Sequence, residues 1–259
     1  MYYGVQLAAS GALTNLYKTD VFANNLANLN TAGFKPDLAY ARQRDVARVE
    51  DGLWGVPSNE LLEKLGAGAH MAPNAIDFTQ GDLITTGNEL DLAIRGDGFF
   101  VLRSEADGAN SGVKLSRDGR FSLDATGRLV SATTGLPLAS VRNRPITLDP
   151  TLPVEIDREG RVTQAGAEID RIQVINIEDR ELLKKAGKGT FAIPNAALGQ
   201  AIPATGLIEQ GMIESSAVDP ISAMMAVQSA ARSVGTNISM ISYQDRMMER
   251  AINTFARVG

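Results

Sequence analysis

The sequence predicts an α+β protein in which N- and C-terminal helices form a coiled-coil-like layer and an all-β central domain is inserted between them. Three observations predict it. Glycine and proline, which mark turns and depress helix, crowd into residues 35–211, where 20 of the 25 glycines and nine of the ten prolines fall. Both ends carry apolar residues at alternating spacings of three and four, the period of a helix seam. The middle twice repeats a short alternating strand, then Asp-x-x-Gly-Arg, then another strand.

At the N-terminus, Val5, Ala9, Ala12, Leu16, Thr19, Ala23 and Leu26 keep the three–four spacing, with Leu13, Phe22 and Leu29 widening the stripe. Asn28, Asn30 and Gly33 supply a helix stop. At the C-terminus the seam is Met224, Val227, Ala231, Val234, Ile238, Ile241, Asp245, Met248, Ile252 and Phe255, in which only Asp245 is polar. Asp219-Pro220 opens that helix, an N-cap followed by proline at a position where its missing N–H costs nothing. A helix over 220–256 follows, with Gly235 as its weak interior residue. Both stripes also fit helices folded back onto the central domain. The length of the second helix and the scarcity of charge on either favour partners outside the monomer.

In the centre, Phe121–Val130 and Val154–Thr163 each read as a hairpin. Asp124 or Asp157 holds the turn, and Gly127 or Gly160 supplies its positive φ. Ser116–Phe121 reads as a further turn, and residues 90–94 and 171–177 as strands. The expected organisation is an N-terminal helix over 1–34, a connector over 35–76 that includes Pro36, Pro57 and Pro73, a β domain over 77–211 and a C-terminal helix over 212–259.

Little chemistry is encoded. The chain has 25 Lys plus Arg against 30 Asp plus Glu, net −5, with no basic run to meet phosphates, so nucleic acid is not an expected partner. The absence of cysteine removes disulfides, thiolate metal sites and Cys nucleophiles. The single histidine, His70, lacks a triad or a second ligand at metal spacing. Asp118, Asp124 and Asp157 lack the alternation of a calcium loop and read as turn caps. Gly187-Lys-Gly-Thr190 lacks the full phosphate-loop spacing. No catalytic, cofactor-binding or metal-ligating residue is expected, no cofactor, and no membrane insertion. Without a signal-peptide pattern, export would need a route that leaves no cleaved signal.

Residues 23–36, Ala-Asn24-Asn25-Leu26-Ala27-Asn28-Leu-Asn-Thr31-Ala-Gly33-Phe34-Lys35-Pro36, resemble the N-terminal signature of bacterial flagellar axial proteins, the rod and hook subunits. Gln80–Phe100, Leu115–Phe121 with Asp124–Leu129, and Gln210–Asp219 are similar to later segments of that family, in the expected order. Two departures are Ser216-Ala217-Val218, where Ser-Asn-Val is usual, and Gln228–Arg232, where Arg-x-Tyr or Arg-x-Phe is usual. Overall length, one modest middle domain and Gly33–Tyr40 look more like a rod subunit than the larger hook protein, with the proximal rod position ahead of the distal one.

The resemblance implies a non-enzymatic structural subunit of the basal-body rod that stacks helically into a hollow shaft spanning the periplasm. It also implies copies of itself and other rod and hook proteins as partners, and passage through the flagellar type III export apparatus. On this reading Val5, Ala12, Leu16 and Leu26 pack against Val234, Ile238, Ile241, Met248 and Ile252 at subunit contacts. Asn24, Asn25, Leu26, Ala27, Asn28, Thr31, Gly33 and Phe34 form the family motif that shapes the helix exit. Ordering about 30 residues costs on the order of 30–60 kcal/mol of backbone entropy, so the ends are expected to fray until packed. The competing class is an extracellular or periplasmic β-domain binding module or hydrolase whose terminal helices act as clamps.

Overall fold

The computed structural model describes residues 3–50, 52, 66–103, 112–194, 198–199 and 201–255; Pro57 and the Phe255 side chain lie outside the described part. The fold is α+β. The chain divides into two compact units, one built from Met1–Ala27, Asp37–Asp77 and Asp219–Gly259, the other from Asn28–Pro36 and Phe78–Val218.

The first unit holds helix α1 (Tyr3–Ala27), the single turn α2 (Ala47–Glu50) and helix α3 (Pro220–Phe255). Asp219 caps α3, with Oδ2 accepting from the Ser222 N–H at 3.1 Å and Oδ1 from the Ile221 N–H at 3.4 Å. Bonds from Ser222, side chain first and then backbone, hold the Asp219 carboxyl below the usual carboxylate range. The residues expected to be a connector form two short antiparallel pairs within this unit. β1 (Asp37–Leu38) pairs with β4 (Ala75–Ile76), and β2 (Ala41–Gln43) with β3 (Ala69–Met71). His70 sits on β3 opposite Arg42 and is exposed.

One side of α1 lies along this layer. Thr14 Oγ1 donates to the Ala69 carbonyl at 3.5 Å as well as to Ser10 O at 2.8 Å, and Tyr3 donates to the Gly66 carbonyl. Gly68 comes so close to Ser10 that a Cβ there would overlap the serine hydroxyl. Near the helix end, Asn25 makes a reciprocal pair with Asp37, donating to its carbonyl at 2.8 Å and accepting from its N–H at 2.9 Å.

The second unit is antiparallel throughout its described strands. Its largest sheet has six strands in the order β15 (Lys184–Gly187), β16 (Thr190–Ala192), β8 (Val113–Ser116), β7 (Phe99–Arg103), β14 (Val174–Asn176), β17 (Ile202–Pro203). The central strand β7 is buried on both faces. Phe99 packs with Phe78 and Phe191, ring centroids 5.5–5.7 Å apart, and Phe100 meets Phe121 edge-on at 5.2 Å on the other side. The Phe100 side continues into a core of Leu92, Leu102, Leu129, Leu138 and Val162. The outer strands carry Lys184 and Lys185 on β15 and Pro203 on β17, which discourage further strand addition.

Both Asp-x-x-Gly-Arg hairpins are present: β9 (Phe121–Leu123) with β10 (Leu129–Ser131), and β11 (Val154–Ile156) with β12 (Arg161–Gln164), the latter extended by β13 (Ala167–Arg171). Asp124 Oδ1 accepts from the N–H groups of Thr126 and Arg128, and Oδ2 from Arg128 Nε at 2.8 Å. Asp157 repeats the arrangement with Glu159 and Arg161. The turn glycines have φ of 78° and 82°. The arginine after the glycine therefore clamps the aspartate that starts the turn. Residues 117–119 are different: β8 and β9, which flank them, pair with different neighbours, so this segment is a crossover rather than a hairpin.

Hydrogen bonds from Thr126 and Arg128 keep the Asp124 carboxyl far below its ordinary range; at Asp157 burial pushes upward but is outweighed by bonds from Arg161 and Glu159. A folded-state pKa below the unfolded one stabilises fully above about pH 4 and is lost as pH falls through the folded value. The melting temperature is accordingly expected to drop progressively below about pH 4, and to drop less in Asp124→Asn/Asp157→Asn, as followed by circular dichroism. Equal drops in the two proteins would contradict this.

Candidate subunit interface

The helices α1 and α3 pack on each other within the chain. Gly4 lies against Gln244 and Gly11 against Asn237. Residue number rises along one helix as it falls along the other, so the pair is antiparallel.

On α3, accessibility is reduced at Ala223, Val227, Ala230, Val234, Asn237, Ile241, Gln244, Met248 and Ala251, spaced alternately four and three, with Ala226 and Ser233 beside them. This internal seam shares Val227, Val234, Ile241 and Met248 with the seam expected from apolarity. At its other heptad position it takes Ala223, Ala230, Asn237, Gln244 and Ala251. Met224, Ala231, Ile238, Asp245 and Ile252, one residue further on, are exposed, with Ile238 at 54%.

The physical reason is close approach. Gly4, Gly11 and Ala8 on α1 present no bulk, so the axes can approach where alanines and the Asn237 and Gln244 amides lie opposite them, whereas Met224 or Ile238 would hold them apart.

The same one-residue offset holds on α1. Val5, Ala12 and Leu26 are half-buried and Leu16 is 51% exposed; Leu13 and Tyr17 beside it are also exposed. In an antiparallel pair, residues one step C-terminal of the seam on each helix emerge on the same side. Val5, Ala12 and Leu16 therefore share a side with Ile238 and Ile252, opposite the side of α1 that lies on β3. Val234, Ile241 and Met248 contribute to both the seam and its edge. Exposed Met225, Met240, Tyr243 and Met247 extend the apolar character of α3 around its back.

The family-motif residues separate into two groups. Asn24, Asn25, Leu26 and Ala27 end α1, where Asn25 is buried on Asp37. Asn28, Thr31, Gly33 and Phe34 enter the β unit. Thr31 Oγ1 donates to Asn28 Oδ1, the Gly33 N–H donates to the Glu214 carbonyl at 2.8 Å, and the Phe34 carbonyl accepts from Ala217. Lys185 lies over the Phe34 ring at 4.2 Å.

Beneath this turn is a buried ion cluster whose members sequence reasoning left unassigned. Glu214, ending β19 (Met212–Glu214), accepts from Lys35 Nζ at 2.5 Å and the Gly81 N–H at 3.0 Å on Oε1, and from Arg117 Nη1 at 3.2 Å on Oε2. All three side chains are within 4% of full burial. The surplus positive charge is shared among backbone carbonyls and a ring. Lys35 reaches Thr79 O, and Arg117 reaches Gly96 O at 2.7 Å, Ile94 O at 3.3 Å and the Phe99 face at 5.3 Å. Burial is the main influence on Arg117 and lowers its pKa; Glu214 opposes it.

Parts of the segments 23–36, 80–100, 115–121 and 210–219 meet at this cluster. Gln80 brackets β6 (Leu92–Arg95) by donating to Ile94 O and accepting from the Gly96 N–H. Gln210, on β18 (Leu207–Gln210), accepts from the Ile156 N–H and donates to Val154 O.

Three family models match in chain order. Residues 6–35 match the flagella basal body rod protein family, 93–164 the flagellar hook protein FlgE/F/G D1 domain, and 209–254 the flagellar basal body rod FlgEFG protein C-terminal region. The chain is 33% identical over 231 residues to the flagellar basal-body rod protein FlgF of Caulobacter vibrioides, covering 87% of each. It belongs to the flagellar basal-body rod protein family.

Among other relatives of this rod protein, FlgG of Agrobacterium fabrum is 30% identical over 258 residues, covering 93% of this chain and 95% of that one. The flagellar hook-basal body complex protein FlhO of Bacillus subtilis is 26% identical across both full lengths. The chain is thus a structural rod subunit. Among the described residues no group of three or more His, Cys, Asp or Glu is placed to hold a metal, and no helix is long and apolar enough to cross a membrane.

Proposed function

We propose that this rod protein polymerises helically into the hollow drive shaft of the flagellum, and that the open side of its helix pair is the surface that meets sister copies. The observation that carries this reading is the solvent exposure of Leu16, Ile238 and Ile252 on one side of a helix pair whose internal seam alternates larger apolar residues with alanines and amides. Exposed apolar area of this kind favours burial at about 25 cal/mol per Å² once a partner covers it. Repeated contact between unlike faces gives an open filament rather than a closed ring.

Other rod and hook proteins are its neighbours on this reading, and the flagellar type III export apparatus is its route out, with no signal peptide cleaved. The protein is located in the basal body and acts without catalysis. The proximal rod position is preferred, on Gly33–Tyr40 and the single modest β domain.

The test is Ile238→Asp. In a chain-replaced strain the variant should be exported, keep its β unit as judged by circular dichroism, and fall at least about tenfold in isolated basal bodies, with swimming lost. Wild-type incorporation of that variant would refute the assignment.

A second expectation follows from the weak internal seam. Limited proteolysis of the isolated chain should cut in α1 and α3 before it cuts in the described strands of the β unit. The clamp alternative requires protease-resistant helices.

A further inference from the structure

The seam between α1 and α3 contains two amide side chains where a coiled coil would ordinarily carry leucine. Gln244 and Asn237 are seven residues apart, and so are the glycines they oppose. A Cβ added at Gly4 would overlap the Gln244 amide, and one at Gly11 would lie 3.1 Å from Asn237 Nδ2. The Gln244 Oε1 atom is buried with no hydrogen-bond partner. A buried acceptor left unpaired opposes helix pairing, so these amides are poor residues for tightening the contact. Polar residues at seam positions do serve another purpose: they make wrong registers worse than the right one.

We propose that Gln244 and Asn237 act as pegs seated in the notches left by Gly4 and Gly11, and that these two contacts set the stagger of α1 along α3. The rest of the seam discriminates poorly, since Ala223, Ala230 and Ala251 fit equally well one heptad away. A slip of seven residues in one direction carries Asn237 onto Lys18. In the other it leaves Gln244 without a notch. Either slip displaces one helix by about 10 Å along the other. Leu16 and Ile238, which lie about six residues apart along the pair in the observed register, are then brought level by one slip and carried further apart by the other. The four residues are positioning residues: they do not form the free face but decide how its halves line up. The use of that face rests on the assembly reading above; the stagger does not.

The absence of native cysteine makes disulfide trapping unambiguous. One heptad on from Gly11 and Asn237, Lys18 falls opposite Ala230. Lys18→Cys/Ala230→Cys therefore reports the observed register, and Lys18→Cys/Ala223→Cys the slipped one. The full chain is oxidised at low concentration, and the monomeric cross-linked band is followed on a non-reducing gel. The in-register pair should close at least about tenfold faster than the slipped pair.

Adding Asn237→Ala/Gln244→Ala, or separately Gly4→Ala/Gly11→Ala, should bring the two rates to within about twofold of each other. The glycine replacements raise helix propensity, so lost selectivity there is not lost helix. A narrowed ratio in either background with helicity retained supports the proposal. An unchanged ratio in both, or no preference with all four residues native, overturns it. Because the readout is within single chains, it is independent of rod incorporation, which Ile238→Asp reports.

Discussion

Glu214→Gln is expected to destabilise the β unit by about 3–5 kcal/mol, the range for breaking a buried ion pair by removing one partner. The carboxylate contacts two cations, Lys35 at 2.5 Å and Arg117 at 3.2 Å, with all three side chains out of water. Glutamine keeps the shape and can still accept from the Gly81 N–H, but it removes the negative charge that both buried cations contact.

Lys35→Met should cost less, because Arg117 continues to neutralise Glu214 and the methionine fills the cavity. Arg161 with Glu159 offers the surface comparison: at 3.6 Å and about half exposed, its loss should change stability by less than about 1 kcal/mol. Urea unfolding followed by far-ultraviolet circular dichroism decides the order, since with m near 2 kcal/mol/M the Glu214 variant should lose roughly 1.5–2.5 M from its midpoint. A Glu214→Gln midpoint within about 0.5 M of wild type would show that the cluster contributes little.

Gly33→Ala is the second large effect. Gly33 has φ of 64°, a left-handed conformation that costs a non-glycine residue about 1–2 kcal/mol. A Cβ there would also overlap the carbonyl group of Arg117, which is backbone and cannot swing away. Gly135, with φ of 73° and open space around it, separates the two causes. Gly135→Ala should show the conformational cost alone. Gly33→Ala should exceed it by a further 2 kcal/mol or so, because the turn that donates to Glu214 O has to move off Arg117. Equal midpoints for the two variants would remove the close approach as an explanation of the family glycine.

Local chemistry made much of the architecture readable. Asp219-Pro220 announced the start of α3 because a side-chain cap and a proline lacking an N–H both suit a helix N-terminus, and α3 begins at Pro220. Asp124 and Asp157 announced hairpins because each turn is closed within five residues by the aspartate itself. Ser116–Phe121 misled for the complementary reason. Its turn-like composition serves a crossover in which Asp118 bonds Arg120 and Thr133, and the destinations of β8 and β9 depend on partners far along the chain.

The ion cluster was hidden although Lys35, Arg117 and Glu214 all lie in segments quoted for the family likeness. Lys35 and Glu214 are 179 residues apart in sequence. A lysine after Gly-Phe and a glutamate ending a short strand each have ordinary surface explanations, and only folding brings them out of water together.

The amino-acid sequence alone determined which segments are helical, where the β region lies and that the terminal helices carry long apolar stripes. Periodicity and capping are properties of neighbours along the chain, so they survive without any knowledge of the fold. Tertiary structure alone decided which side of those helices is spent inside the monomer. Ile238 and Val234 are equally apolar in the sequence, yet Val234 faces the internal seam and Ile238 faces water. Gly4 and Gly11 make that choice by allowing close approach only to the small residues and amides beside them. Hydrophobicity is a scalar assigned to each residue, whereas packing is a question of whose surface comes within contact distance.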